Sequence, residues 1–229
     1  MGANAVTTVP VYVAGEVLTA ADLNITNSGI PVFATTVTRD AAFGGSGEKV
    51  LAEGQFAYIE ASDTTQYYNG SAWLALGGKV GQVVSTTKTD SFTTTSTSFV
   101  DVTGLSVSIT PTATSSKVLV IVNMVGSATP GVVAMFAVLL RGATQIALGD
   151  AAGSRTQTSG FLQAANADSV SMMSLNFLDS PASVSALTYK IQIAANAAST
   201  VAVNRSVTDA NSAAYARTAS TITVLEILA

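Results

Sequence analysis

Four aspartates in turn-rich segments are the residues of this 229-residue chain that could do acid–base chemistry. A pair of carboxylates can hydrolyse a glycosidic bond, one as the acid and the other as the base or nucleophile. Each of the four lies beside a Gly, Ser, Pro or Ala turn residue, where an aspartate is expected for its hydrogen bonds to the backbone. We therefore interpret them as turn residues and predict no catalytic residue: Asp150, Asp168, Asp179 and Asp209.

Two residue types that most enzymes and metal sites depend on are missing from the chain. It has no histidine and no cysteine. Ser-His-Asp and Cys-His sites are therefore excluded, and so are metals held by imidazole or thiolate. The glycine-rich stretch FGGSGEK lacks the preceding strand and following helix of a phosphate-binding loop. We expect a protein that is not an enzyme and binds neither a cofactor nor a metal.

Arginines of the C-terminal region are candidate surface contacts. They could line a small polar pocket for a carboxylate or a sugar, or form ion pairs that hold loops or neighbouring subunits together. We favour ion pairs for the four arginines, Arg141, Arg155, Arg205 and Arg217, and name the last three as candidate contacts.

An aromatic cluster surrounds the Asn-Gly pair of QYYNGSAW. This pair predicts a tight hairpin turn, and QFAYIE supplies a further strand of a three-stranded meander. Neighbouring strand residues point to opposite faces, so Tyr67 and Tyr68 cannot share one. We expect one of them to pack with Trp73 and with Phe56 or Tyr58. The other could stack on a sugar ring or contact a neighbouring subunit, and we favour the subunit.

The fold predicted from these elements is all-β. After residue 79, eight β-branched-rich runs separated by turn signals indicate an antiparallel sandwich of jelly-roll type. KVLVIVNMV and MFAVLL lack polar alternation, which indicates central strands covered on both faces or strands at a subunit interface. We predict an extended segment at 1–50, the meander at 51–78 and the sandwich at 79–229. Thr19 and Thr38 would cap two short helices in the first region.

The low charge of the chain indicates an assembly. Charged residues make up 10% of the sequence, against roughly 25% in an ordinary soluble domain. Such a monomer has little to keep it apart from its neighbours. The net charge of −4 argues against a nucleic-acid partner. The N-terminus does not resemble a secretion signal and the longest apolar runs are too short to span a membrane, so we expect no membrane insertion.

Three ordered segments resemble the N-terminal module of bacteriophage tail and fibre proteins: GEVLTAADLN, GIPVFATTVTRDAAF and GQFAYIEASDTTQYYNGSAWLAL. The C-terminal half, with TTKTDSFTTTSTSFVDVTGLSVSITPTATSSKVLVIV and VNRSVTDANSAAYARTASTITVLEI, is similar to a domain of fibre-like structural proteins of tailed phages. Together the two resemblances cover most of the chain. They imply a virion structural protein, trimeric, with one end on the particle.

The function we expect is that of a short trimeric fibre assembled in the host cytoplasm. Residues 1–50 would bind other virion proteins of the tail, baseplate or capsid. The sandwich would contact a host glycan or protein through loops such as GDAAGSRTQTSGF and SVTDANSAAYAR, because loops carry recognition. The chain lacks heptads and a repetitive shaft, which leaves tail or head attachment open. A head-decoration, cement or head-fibre protein and a glycan-cleaving tail spike are the alternatives.

Overall fold

The computed structural model describes residues 29–44, 49–129, 134–163 and 165–229. The chain divides into two compact units, Met1–Gly78 and Lys79–Ala229. The predicted helix capped by Thr19 lies outside the described residues.

Unit 1 is built on a small four-stranded sheet. Its strands are β1 Val32–Phe33, β2 Phe56–Ile59, β3 Thr64–Tyr68 and β4 Trp73–Ala75, in that spatial order, with a 3₁₀ turn at Glu60–Ser62. Strands β2 to β4 pair antiparallel and form the predicted meander. Strand β1 adds a parallel edge beside β2, which the sequence did not indicate.

A short helix, α1 (Thr36–Asp40), follows β1, and its first cap differs from the prediction. Thr35 is the N-cap: its hydroxyl accepts a hydrogen bond from the Thr38 backbone N–H at 3.2 Å. Thr38 accepts in return from the Thr35 backbone N–H at 3.0 Å. The prediction that Thr38 begins a helix running to Ala42 is therefore wrong. The two threonines form a capping box, in which Thr38 occupies the third helical position.

The core of unit 1 is small. Phe33, Ala42, Ala57 and Ile59 are fully buried, and Phe43 and Trp73 pack against them. Because one face of the sheet covers so few apolar side chains, each aromatic contact is a large part of the stability of this unit.

Unit 2 consists of two antiparallel sheets. The five-stranded sheet contains β7 Val100–Ile109, β9 Met135–Arg141, β10 Thr144–Ile146, β11 Gly160–Leu162 and β13 Leu187–Ala195. The six-stranded sheet contains β5 Val80–Lys88, β6 Phe92–Thr94, β8 Lys117–Ala128, β12 Ser171–Asp179, β14 Val201–Val203 and β15 Ser220–Ile227. The predicted all-β fold with antiparallel sheets is confirmed.

The two sheets of unit 2 enclose one hydrophobic core. Alternate residues of each long strand point into it, as expected for strands with one buried face. Members of this core include Leu105, Val107 and Ile109 of β7, Val118, Val120 and Val122 of β8, Tyr189, Ile191 and Ile193 of β13, and Ile222 and Val224 of β15.

The two runs without polar alternation differ in their burial. In β9, Ala137 and Leu139 point into the core and are buried. Val138 and Leu140 point away from the core and are buried as well. In β8, the inner residues are buried and the outer Leu119 and Ile121 are only half-buried. The MFAVLL run is therefore a strand covered on both faces. The KVLVIVNMV run has an apolar outer side that remains accessible.

Strands β14 and β15 of the six-stranded sheet lie end to end along the same side of β8, with a gap between them. Both β14 and β15 pair antiparallel with β8, with Val203 opposite Gly126 and Thr221 opposite Asn123. The chain leaves the sheet after Val203 and returns at Ser220, the first residue of β15, to pair with β8. The neighbouring strands β5 and β6 show a matching, shorter break between Lys88 and Phe92. We call the long excursion the 204–219 loop.

Candidate functional site

The base of the 204–219 loop is held by a buried asparagine. Asn204 is fully buried and has a left-handed backbone, with φ of 62°. Its side-chain N–H₂ group donates to the backbone oxygens of Lys88 at 2.8 Å and Asp90 at 3.0 Å. Its side-chain oxygen accepts from the Ser220 hydroxyl at 2.6 Å. These bonds bridge the break in the sheet, where backbone pairing is missing, and asparagine is one of the few residues that adopts this backbone readily.

Backbone contacts close the neck of the loop at the same place. The Asn204 N–H donates to the Val125 oxygen at 2.9 Å, and the Thr218 N–H donates to the Asn204 oxygen at 3.1 Å. The Val125 N–H donates in turn to the Ser220 hydroxyl at 3.0 Å. The two ends of the loop therefore meet over one residue of β8, which is the geometry of an Ω-loop.

An ion-pair cluster orders the interior of the loop. Asp209 accepts from Arg217 at 2.6 Å and lies 3.3 Å from a guanidinium nitrogen of Arg205. Arg205 also donates to the backbone oxygens of Ser206 and Val207. The structure thus brings two of the candidate arginines together on one aspartate. Arg205 is mostly buried by these contacts, whereas Arg217 is largely exposed.

The outer part of the loop surrounds an open depression of about 310 Å³. Its lining combines a carboxylate, a guanidinium, an amide, a hydroxyl and one aromatic ring, contributed by Asp209, Arg217, Asn211, Ser212 and Tyr215. The Thr208 N–H donates to the Ala167 oxygen at 3.0 Å and ties the loop to the segment before β12. The lining offers several hydrogen-bonding groups and one surface for stacking.

Arg155 lies in a different loop, between β10 and β11. Its guanidinium donates to the Ala152 backbone oxygen at 3.2 Å, and its side chain is exposed. Its hydrogen bonds stay within that loop, so it does not join the cluster around Asp209.

The three candidate aromatic residues of unit 1 divide between two faces. Tyr68 is directly opposite Trp73, with ring centres 5.6 Å apart, on the core side. Tyr67 lies on the other face, opposite Phe56, with ring centres 6.5 Å apart. The expectation that the tyrosine beside Trp73 also packs with Phe56 or Tyr58 is therefore wrong, because both of these lie on the face of Tyr67. Phe56 and Leu74 leave a partly exposed apolar strip beside Tyr67. The cluster is therefore a packed hairpin with one outward tyrosine.

A buried arginine beneath the tryptophan was not indicated by the sequence. The Arg39 guanidinium lies 4.7 Å from the centre of the Trp73 ring, a cation–π contact. It also donates to Asp40 at 2.6 and 2.8 Å and to the side-chain oxygen of Gln66. The contact joins α1 to β3 and β4. No spacing in the sequence relates Arg39 to the hairpin, because the partners meet only in the folded unit.

The four aspartates considered for catalysis lie in separate environments. The prediction that Asp179 is a turn residue is wrong, because it is the last residue of β12 and pairs with Val118 of β8. Asp179 is buried and accepts from Arg141 at 2.8 and 2.9 Å and from the Tyr189 hydroxyl at 2.7 Å. Burial, together with this bond, raises the pKa of Tyr189 well above its usual value. Asp209 holds the two arginines of the 204–219 loop. These bonds account for both carboxylates as structural groups.

The other two aspartates belong to loops. The Asp168 backbone N–H donates to the Asn166 side-chain oxygen at 3.0 Å, and Asp150 is exposed before a turn. Within the described residues, no group of three or more acidic side chains is placed to hold a metal ion. No helix in the same part of the chain has the length and apolar character to cross a membrane.

Glu226 is a buried carboxylate that strand alternation placed on the core side of β15. It accepts from the Thr112 N–H at 2.6 Å, the Thr112 hydroxyl at 2.7 Å and the Gln82 amide at 2.8 Å. Burial alone would raise the pKa of Glu226, but these hydrogen bonds outweigh it and lower the pKa to about 2. The residue anchors the turn between β7 and β8 and has no contact with the 204–219 loop.

Weak structural similarities to this chain were found among known proteins. No family model and no curated protein matches the chain. Solved structures of infectious bursal disease virus are weakly similar. The Gt strain has a TM-score of 0.30 at 13% identity, covering 72% of this chain and 44% of that one. The Gx strain has 0.33 at 12%, covering 73% and 46%. The VP2 subviral particle has 0.26 at 12%, covering 77% and 43%.

The chain thus spans less than half the length of these viral chains.

Proposed function

We propose that this chain is a non-enzymatic structural protein of a tailed-phage virion, a short trimeric fibre that presents unit 2 to the host surface. The resemblance of its sequence to phage fibre modules supports its assignment as a virion protein. Residues 1–50 would attach it to the particle.

The 204–219 loop is the observation that carries the host-contact part of this proposal. Its neck is fixed by a buried asparagine, and its interior is ordered by two arginines on one aspartate. Its outer part nevertheless leaves Tyr215 and Arg217 accessible around an open depression. An ordered loop on a rigid sandwich is the usual way in which such a fold presents a contact surface. Polar groups beside one aromatic ring suit a hydroxyl-rich or amide-rich surface.

Catalysis is not favoured by any observation of the described residues. Asp179 and Asp209 are both bound to arginines, and Asp168 lies in a local turn made by Asn166. We therefore give no weight to the glycan-cleaving spike.

The decoration or cement alternative is separated from the fibre by copy number. Quantitative mass spectrometry of purified phage particles measures it directly. A fibre is present in a few to tens of copies, and a cement protein in hundreds. A count in the hundreds would replace the fibre by a capsid role.

Binding of the full chain to host cells tests the contact surface. We expect labelled protein to bind, and Tyr215→Ala or Arg217→Ala to weaken binding about tenfold, which corresponds to about 1.4 kcal/mol. The control is Lys190→Ala, because Lys190 also pairs with a partly exposed aspartate, Asp101, at 2.9 Å but lies outside the loop. Equal binding of all these proteins would contradict the assignment of the loop.

A further inference from the structure

The outer face of the six-stranded sheet carries an apolar row that crosses four strands. Leu178 of β12 is opposite Leu119 of β8, which is opposite Leu225 of β15, which is opposite Val83 of β5. The residues at the two ends are well exposed, Leu178 by 47% and Val83 by 58%. The two central leucines are half-buried. We call these four residues the apolar row.

The rest of this face carries a single charge, at its end. The next row contains Asn176, Ile121, Thr223 and Ser85, and the row after it Ser174, Asn123, Thr221 and Thr87. Their hydroxyls and amides bond to one another, as between Ser85 and Thr223 at 2.8 Å and between Ser174 and Asn123 at 2.9 Å. Among the outward side chains of β5, β8, β12 and β15, the one charge is Lys117, at the end of β8.

The outer face of the five-stranded sheet is charged and polar only where β7 and β13 lie; towards its other edge Phe161 of β11 is 56% exposed, and Val138 and Leu140 of β9 are covered. On β7 and β13, Asp101 accepts from Lys190 at 2.9 Å and from Gln192 at 2.8 Å, and Ser108 bonds to Thr188 at 2.8 Å. Charged and polar side chains are what a sheet face in water is expected to carry. The apolar row has only Lys117 as a charged neighbour on its own strands, and an exposed apolar patch of this kind is typical of a contact surface.

We propose that the six-stranded face is the contact between copies of this chain, and that three copies pack these faces around a common three-fold axis. The trimeric part rests on the proposed function. A second copy is the partner because the face meets itself without repulsion between like charges, and its exposed leucine and valine side chains find apolar partners. A glycan or a nucleic acid would instead need charged or hydrogen-bonding groups where the apolar row lies.

The width of the face suits a three-fold arrangement. Four neighbouring strands span about 14 Å between outer strand axes, and about 19 Å with the width of the strands included. Three such faces enclose a triangular prism whose centre lies about 5 Å from each sheet, close to half of the spacing of about 10 Å between packed sheets. The side chains of the three faces can therefore fill the axis without leaving a channel.

This arrangement makes one contact that a single chain cannot make. Around a three-fold axis, the β12 edge of one copy meets the β5 edge of the next, so Leu178 approaches Val83 of a neighbouring copy. Within one chain these residues are separated by β8 and β15, about 14 Å apart, which is beyond the roughly 7 Å between Cα atoms that a disulfide can span.

Disulfide trapping in the full chain tests the proposal, since the chain has no cysteine of its own. We expect Val83→Cys/Leu178→Cys to give, on mild oxidation, a covalent species near three times 23.1 kDa on a denaturing gel. Each single variant should give no trimer. The matched control is Val83→Cys/Val184→Cys, because Val184 is 53% exposed but lies in the β12–β13 loop.

The outcomes separate this inference from the proposed function. A covalent species limited to two chains would overturn the three-fold arrangement. Absence of any cross-link in a protein whose unmodified form is trimeric would overturn the assignment of this face and leave the trimeric fibre standing. A monomeric unmodified protein would overturn both. Val83→Lys should also lower the solution mass, whereas Val184→Lys should not.

Discussion

Replacing Asn204 by alanine tests whether this residue holds the neck of the 204–219 loop. The change removes the donor to the Lys88 and Asp90 oxygens and the acceptor of the Ser220 hydroxyl. A buried polar group left without a partner costs about 1–3 kcal/mol, and a left-handed backbone costs alanine about 1 kcal/mol more. We expect Asn204→Ala to destabilise unit 2 by about 4 kcal/mol, a large part of a typical stability of about 5–15 kcal/mol.

Urea unfolding can assign this loss to one unit. The single tryptophan, Trp73, lies in unit 1, so its fluorescence follows that unit, while far-UV circular dichroism is dominated by the strands of unit 2. At a slope of about 2 kcal/mol per molar urea, the circular dichroism midpoint should fall by about 2 M. The Trp73 midpoint should not move. Protein concentration must be fixed, because assembly also contributes to stability.

A second substitution separates the hydrogen bonds from the backbone. Asn204→Gly loses the same bonds but adopts the left-handed conformation freely, so it should be about 1 kcal/mol more stable than Asn204→Ala. A fall of less than about 0.5 M in the midpoint of Asn204→Ala would refute the reasoning. So would a glycine variant as stable as the unmodified chain.

Three further substitutions test other contacts. The pKa of Glu226 is lowered from 4.5 to about 2, so its carboxylate stabilises the fold above pH 4.5 and this stability is lost as the pH falls towards 2. Glu226→Gln should therefore be less stable at pH 7, with a smaller deficit at pH 3. Arg39→Leu should destabilise unit 1 by about 1–2 kcal/mol, which lowers the urea midpoint of Trp73 fluorescence and leaves unit 2 unchanged. Gly126→Ala should destabilise unit 2 by about 1–3 kcal/mol, because its Cβ would lie 2.8 Å from Met135 and 3.0 Å from the Ala202 oxygen.

Each of these has a result that would contradict it. An equal deficit of Glu226→Gln at both pH values would mean that its charge is not coupled to folding. An unchanged Trp73 midpoint in Arg39→Leu would remove the cation–π contact from the account of unit 1. The control for Gly126→Ala is Gly149→Ala, whose Cβ would be 4.0 Å from its nearest neighbour. Equal urea midpoints for these two variants would argue against the steric explanation.

The strands were predictable where one face is buried. The period of two in GLSVSIT and LTYKIQIAA matches the core positions of β7 and β13, and the Asn-Gly pair predicts the hairpin of unit 1. Opposite orientations of Tyr67 and Tyr68 follow from the same period. Local signals were enough in these cases because each depends on residues close together in the chain.

The site depends on contacts that the sequence does not bring together. Asn204 meets Lys88 and Asp90 across more than a hundred residues, and Glu226 meets Thr112 in the same way. The apolar row is visible only when the register of four strands is known. Thr38 was misplaced as a cap because Thr35, three residues earlier, offers the same hydroxyl, and only the backbone distinguishes them.

The mass of the full chain in solution tests the central claim most directly. Light scattering of the purified protein at micromolar concentration should give a mass near three times 23.1 kDa. A stable, monodisperse species at 23.1 kDa would contradict the trimeric fibre and would direct attention to a protein that assembles only on the capsid.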